Sequence, residues 1–444
     1  MEIGGRQGSS LTGRMFSKLM DMISEELQES GEGIPLTNDF LLAVLLWVDD
    51  VVTFAEGVEH QQMILKRIDE FAIKHKLKWG PSKCNVMRVG HHSDSITEWK
   101  LGDVNISECQ SYKYLGDYIT NDGKNSVNLE SRKNRLRATT IKINSIAETE
   151  VLQLIESYVL IEFHEKISIS SLLTNCESWN LKKGEMDSLE KMEIQALKHL
   201  FDLPTHTPTP AVIFSLGTLY TRQRVHKRQL LYLHKILKKY DGQWTKRALE
   251  ILEEKNLGWY KNIKKTLEEY GLPTDFGTIK TIPRRTWIRN VGCLIEQMNK
   301  KRLSDDCHKT TDGNTTPKTK TISIIEQIED PYYQKGFQDE LKQLFKHEFK
   351  TIIMARFRML ECGKNFKGTL QEMCNVCKCI DNENHRLNDC TKFRPTMKSH
   401  PPVNFDDIYS NDLTKIRSVI NAIEMIWDTF NSHGKVRRNI KCTS

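Results

Sequence analysis

With 444 residues, 38% of them hydrophobic and 28% charged, the chain has a globular composition, which excludes a fibrous or wholly disordered protein. At roughly 100 to 200 residues per domain, two to four domains are expected. Lys and Arg outnumber Asp and Glu by 65 to 58, and a net charge of +7 is too mild to name a partner, so its distribution matters more than its sum.

Met1 is followed by Glu2 and a Gly-Gly-Arg-Gln-Gly-Ser stretch with no apolar core, unlike a secretory signal. The longest apolar run, Phe40 to Val48, falls well short of the roughly 20 residues that span a bilayer. The expectation is an intracellular protein, neither secreted nor membrane-bound, with nucleus and cytoplasm undistinguished. Its 11 cysteines are then mostly reduced thiols, and a clustered subset reads better as metal ligands than as a disulfide framework.

Taken in chain order, Gly5 to Leu11 forms a Gly-rich loop that runs into a helix through Arg14–Ser17, a place where backbone amides approach a phosphate or sugar closely. Phe40 to Ala55 is β-prone, and within it Asp49 and Asp50 separate two apolar arms, which predicts a tight hairpin with the acids at its tip. Adjacent carboxylates repel each other, and Mg2+, a hard cation, relieves that repulsion. A polar turn without chemistry is the competing reading. Met63, Leu65, Ile68, Phe71, Ala72 and Leu77 approximate one helical face. Leu77 to Cys84 then makes a turn that projects Lys83, and Tyr112 to Gly116 lies in an alternating segment closed by Asn121-Asp122-Gly123.

These four elements, in this order, resemble the palm of a reverse transcriptase of non-long-terminal-repeat (LINE-like) retrotransposons. The resemblance implies that Arg6, Gln7, Gly8 and Ser9 contact template and incoming nucleotide. It also implies that Asp49 and Asp50 bind catalytic Mg2+, that Lys83 is the lysine of the next motif, and that Tyr112, Lys113, Tyr114, Leu115 and Gly116 form the primer grip. Trp47 stands where the family usually has Tyr or Phe. The family's third metal-binding aspartate and its fingers subdomain precede the Gly-rich loop by several tens of residues. Only five residues precede Arg6, so the expectation is an N-terminally truncated palm with an incomplete catalytic set.

From Asn125 to about Tyr240 the pattern is helical, with Ser188–Phe201 closed by Pro204. Two basic stretches fall here. The first holds Arg132, Lys133, Arg135 and Arg137, and the second holds Arg222, Arg224, Lys227 and Arg228 with no acid between Thr221 and Tyr240. A stripe of this kind would follow a phosphate backbone, an ordinary solvated helix face being the competing reading. By resemblance this region is the thumb, and Trp179 is expected in the core.

Lys300 to Lys320 is polar enough to predict a linker. Beyond it Cys374, Cys377, His385 and Cys390 give C-x2-C-x7-H-x4-C, four soft ligands suited to tetrahedral Zn2+, with Cys379 a competitor for one position. Together with its flanking residues this segment resembles the C-terminal CCHC region of the same retrotransposons. A helix is predicted from Asn411 to Phe430.

The expected fold is α+β: a partial polymerase palm, an antiparallel sheet with helices, over 1–123; an all-helical thumb-like region over 124–240; a helical region with a linker near 300–320 over 241–361; and a small zinc-knuckle domain over 362–444. The expected function is that of an RNA-directed DNA polymerase fragment of a non-LTR retrotransposon, inactive alone because the first palm aspartate and the fingers are absent, with RNA template and DNA primer or target as partners and deoxynucleotide triphosphates if it is active. The alternative is a non-catalytic nucleic-acid-binding protein using the basic helices and the zinc knuckle.

Overall fold

The computed structural model describes residues 10–38, 40–90, 98–147, 156–240, 243–308, 339–357, 359–360, 373–391 and 402–440. The chain is α+β and mostly helical, with small sheets. It divides into unit 1, residues 1–128 with 240–260, and unit 2, residues 129–239 with 261–444.

Unit 1 opens with helix α1, Ser10–Glu29, followed by strands β1, Ile34–Thr37, and β2, Phe40–Leu42, which pair antiparallel. Strands β3, Val44–Trp47, and β4, Asp50–Thr53, form the hairpin foreseen between the apolar arms, with Trp47 opposite Asp50. Helix α2, Val58–Lys74, buries Leu65, Ile68, Phe71 and Ala72 as its periodicity predicts, while Met63 faces outward. A 3-10 turn, Pro81–Lys83, leads into β5, Asn85–Val86. This strand, β7 (Val104–Glu108) and β6 (Trp99–Leu101) form a sheet in the order β5-β7-β6. A last hairpin joins β8, Ser111–Tyr114, to β9, Asp117–Thr120.

Met20, Ile23 and Leu27 of α1 pack with Ile64, Ile68 and Phe71 of α2 and with Val44, Trp99 and Ile106, so two helices cover the small sheets and hold the β3–β4 hairpin by its base. Helix α9, Trp244–Glu254, belongs to the same unit, with Trp244 against Phe40 at a ring separation of 5.0 Å.

Helix α3, Ser126–Ala147, leads into unit 2, where no strand forms among the described residues. There α4, Ser157–Phe163, passes through a π-helical stretch, His164–Ile169, into α5, Ser170–Leu172. In α6, Lys183–Leu200, residues Leu189, Ile194, Leu197 and Leu200 keep the helical spacing of a buried face. This helix ends where Asp202 enters the left-handed region at φ 50°, so Pro204 falls just past a stop already made. The remaining helices are α7, Thr209–Leu216; α8, Thr221–Leu237; α10, Gly258–Glu269; α11, Phe276–Thr281; α12, Arg284–His308; α13, Lys346–Arg356; and α14, Leu413–Ile440.

Two expectations change here. Lys300 to His308, read as the start of a linker, continues α12, because Arg302 is drawn onto Glu190 of α6 through two bonds of 2.7 Å; residues 309–320 lie outside the described residues. The C-terminal stretch, read as a small domain of its own, shares one core with earlier helices. Leu387, Cys390, Phe405, Ile416 and Ile420 pack in a single cluster with Leu197, Phe201, Phe349 and Ile353.

Candidate functional site

In unit 1 the β3–β4 hairpin turns at Val48 and Asp49, and Asp50 opens β4. Val48 has φ 55°, the left-handed conformation that a two-residue hairpin requires at its first central position. A β-branched residue there is strained by about 1 to 2 kcal/mol. Trp47, 61% exposed, and Val48 project at the tip beside the two carboxylates. Neither the Asp49 nor the Asp50 side chain has a hydrogen-bond or ion-pair partner among the described residues, and both residues are exposed.

The Tyr112–Tyr114 face, tied to the Lys83 turn, lies within electrostatic reach of Asp50. Strand β8 has a period of two, so Tyr112 and Tyr114 share one face and Lys113 takes the other. Burial first, and the Asp50 carboxylate second, raise the pKa of both tyrosines above the ordinary phenol value. The Tyr112 hydroxyl donates to the Lys83 carbonyl at 3.1 Å, which ties the 3-10 turn to this hairpin. Lys83 and Lys113 are exposed. Leu115 and Gly116 turn the hairpin with φ 47° and 91°, a conformation that glycine adopts at no steric cost. Arg6, Gln7, Gly8 and Ser9 lie outside the described residues. Two exposed carboxylates side by side offer a hard cation the oxygen ligands it prefers.

The basic residues of α3 and α8 do not share one exposure. Arg132 is fully buried, donating to the Ser171 carbonyl at 3.3 Å with its guanidinium 5.7 Å from the Trp179 ring centre. Lys133 donates to Ser188 at 2.7 Å, and Arg137 to Asn134 at 2.8 Å and Glu130 at 3.2 Å. Arg222 pairs with Asp187 at 2.6 Å, and Arg228 donates to the Leu173 carbonyl at 2.7 Å. Arg224 binds Glu165 and Thr218 and approaches Glu193 at 3.6 Å.

The exposed stripe expected from these residues is thus corrected at Arg132 and Arg224, whose guanidinium groups are enclosed within the fold and held by the contacts just given. Arg135 and Lys227 are half-buried and have no acid partner among the described residues.

In unit 2 the ligand atoms of Cys374, Cys377, His385 and Cys390 all lie within 4.8 Å of one another. The local fold explains why. A bridge between Met373 and Ile380 closes a loop, Lys378 takes φ 57°, and the amide of Lys378 donates to the Cys374 carbonyl at 2.9 Å, so both thiols of the C-x2-C pair face one point. The His385–Asp389 helical turn returns the third and fourth ligands, with the Cys390 amide bonded to the His385 carbonyl at 2.7 Å.

Sγ of Cys390 is 3.8 Å from that of Cys374 and 3.9 Å from that of Cys377. A zinc–sulfur bond of about 2.3 Å gives a tetrahedron with edges of about 3.8 Å, so the four residues could hold a metal such as Zn2+. Thr391 donates from its backbone to Cys377 Sγ at 3.3 Å, and its hydroxyl lies at 3.2 Å. These two contacts lower the Cys377 pKa, favouring the thiolate that a metal needs.

Cys379 falls outside the group of four. Its Sγ is 3.1 Å from His385 Nδ1, and burial with the nearby Cys377 and Cys374 charges raises its pKa. The contact of Thr391 with Cys377 was not anticipated from the sequence; the signal available was a hydroxyl residue immediately after the last ligand.

No family model matches the sequence, and no curated protein matches it either.

Proposed function

We propose that the chain carries the metal-binding and primer-side part of a reverse-transcriptase palm of the LINE-like type, followed by helices and a zinc knuckle that hold nucleic acid. The observation that supports this most is the gathering of Asp50, the Lys83 turn and the Tyr112–Tyr114 face in unit 1. These segments are far apart in sequence, and Val51 of the hairpin and Cys84 beside the Lys83 turn pack against the same apolar cluster. In this reading Asp49 and Asp50 hold Mg2+, which when bound would activate a primer hydroxyl and stabilise the leaving pyrophosphate. Lys83 and Lys113 would neutralise phosphate charge nearby, and the strained tip would fix where the carboxylates point.

A second reading, a nucleic-acid-binding protein without catalysis, draws on the Cys/His cluster. Four ligands complete a tetrahedron and leave no open position for a substrate, so that metal would be structural. Primer extension by the full chain on an RNA template separates the two. Magnesium-dependent extension that falls about a thousandfold or more in Asp49→Asn, the several kcal/mol expected of a catalytic metal, establishes the palm. Template–primer binding without extension leaves the binding protein, and absence of both at low salt sinks the two readings together.

A further inference from the structure

Unit 2 contains a concavity of about 480 Å³ between α8 and the start of α12. Its floor is Trp287, fully buried and stacked on His234 with ring centres 5.6 Å apart, and its wall carries the half-buried ring of Tyr232. Arg228, Tyr232 and Lys235 recur at helical spacing on one face of α8, and Lys238 follows a turn later, so that face aims a row of cations along the opening. Arg284 stands on the opposite lip as the first residue of α12. Lys235, Lys238 and Arg284 are exposed, and none of the three has an acid partner among the described residues.

The helix dipoles show that this grouping is not routine surface charge. Lys235 and Lys238 lie at the C-terminal end of α8, where cations are favoured, so each alone needs no ligand. Arg284 sits at the N-terminal end of a 25-residue helix, where the dipole is positive and a cation is disfavoured. An anion between the lips would turn that repulsion into attraction for all three groups, and the N-terminus of α12 would add its own amides. Glu177, a carboxylate of the lining, lies on the Tyr232 side, where its charge helps to raise the tyrosine pKa, so the anion belongs on the lysine–arginine side and an uncharged ring beside Tyr232.

We propose that this concavity binds single-stranded nucleic acid, with phosphates on Lys235, Lys238 and Arg284 and one base against Tyr232. A cavity of this size is within the roughly 300 to 1,000 Å³ of small-ligand sites, room for an unstacked base and its backbone. Single strands are held by this pairing of a cationic track with an aromatic face. A duplex keeps its bases stacked inside and cannot offer one. The site gives a location to the nucleic-acid-binding half of the function proposed above and uses no residue of the Asp49–Asp50 hairpin, so extension activity and this binding can fail separately.

The test is fluorescence anisotropy with a labelled single-stranded decamer and the full chain, over a range of salt. Replacing Lys235, Lys238 and Arg284 together by Gln should weaken binding at least about tenfold at low salt. It should also reduce the slope of log affinity against log salt by about 2, at about 0.7 per phosphate for three contacts. Tyr232→Leu should weaken binding about 5- to 150-fold, while Tyr232→Phe, which keeps the ring, should stay within about twofold. Circular dichroism of each variant checks that the fold is intact. An unchanged salt slope in the triple variant overturns the proposal. So does competition by an equal-length duplex, by a mononucleotide or by an acidic peptide as strong as that of the unlabelled decamer.

Discussion

In unit 1 the carboxylates of Asp49 and Asp50 stand in solvent at a strained hairpin tip with no partner among the described residues, whereas in unit 2 Glu190 and Glu193 are enclosed between α6, α8 and α12. Glu193 is 1% exposed and faces Arg224, His164 and Thr221; Glu190 is bidentate to Arg302, whose guanidinium lies 4.1 Å from the Tyr220 ring centre. The same functional group, a carboxylate, is left available in one unit and consumed in the other. An exposed unpaired carboxylate costs the fold little and can take a ligand. A buried paired one specifies how helices meet.

The sharpest way to strengthen that contrast is to test whether the Cys/His cluster of unit 2, which could hold a metal, depends on one. Because Cys390 and Leu387 are part of its apolar core, stripping zinc with a chelator should destabilise unit 2 by about 5 kcal/mol. That is less than the roughly 10 to 16 kcal/mol of peptides that fold only on zinc, because the surrounding packing remains. Cys390→Ser should reproduce the effect, and thermal unfolding with and without added zinc measures it. An unfolding transition indifferent to chelation would remove the metal from the account of this unit.

Next in size is the buried network. Burial alone would raise the Glu193 pKa, but Arg224, His164 and Thr221 together outweigh it and hold the carboxylate below the usual range. Glu193→Ala leaves Arg224 enclosed with one acid fewer, and should cost about 3 to 5 kcal/mol. Urea unfolding measures the loss, and a cost under about 1 kcal/mol would mean that Glu193 is not a structural member of the network.

How much of this was legible in the sequence divides along the same line. The β3–β4 hairpin and the C-x2-C loop are local: two β-prone arms around a two-residue turn, and two cysteines three positions apart, specify their own geometry. Helix α6 was readable from Leu189, Ile194, Leu197 and Leu200 because a buried face repeats with the helical period. Arg222 and Arg224 in the basic stretch of α8 were misread because the acids that pair with them come from elsewhere. Glu165 is 59 positions from Arg224, and nothing in the spacing of either reveals the pairing. Composition misled for the same reason at Lys300–His308. Polar residues predict a linker, yet Asn299 and Arg302 are held by Tyr220 and Glu190, contacts that only the folded chain creates. Among the candidate site residues, the family resemblance could name Asp50, Lys83 and Tyr112, but not that the Tyr112 hydroxyl would close onto the Lys83 carbonyl.

A third effect, somewhat smaller, distinguishes the units by pH. His226, packed edge-on to Tyr270, is pushed down to about 4 by burial and by the nearby Arg222 and Arg302. In the unfolded chain it titrates near 6.5. Between those values the unfolded state binds the extra proton, so the contribution of this residue to stability is complete above about pH 6.5 and is lost as pH falls toward 4. The loss is on the order of 3 kcal/mol. Urea unfolding at pH 7 and pH 4.5 should show a steeper decline in the natural chain than in His226→Gln. Equal declines would mean that the imidazole is not buried neutral.

The smallest expected change falls on the residues assigned the most chemistry. Asp49→Asn keeps shape and polarity at an exposed turn, removes no bond among the described residues and relieves repulsion with Asp50, so its effect on stability should stay within about 0.5 kcal/mol. Val48→Gly removes the steric strain of a β-branched residue at φ 55°, but gains backbone freedom in the unfolded chain, so it should stabilise by no more than about 1 kcal/mol. If the tip serves to aim Asp49 and Asp50, that same glycine should lower any magnesium-dependent extension, because a relaxed turn no longer fixes the carboxylates. Stability and activity would then move in opposite directions at one residue. A polar turn without chemistry cannot produce that, since glycine there would bring the small gain in stability and no loss elsewhere.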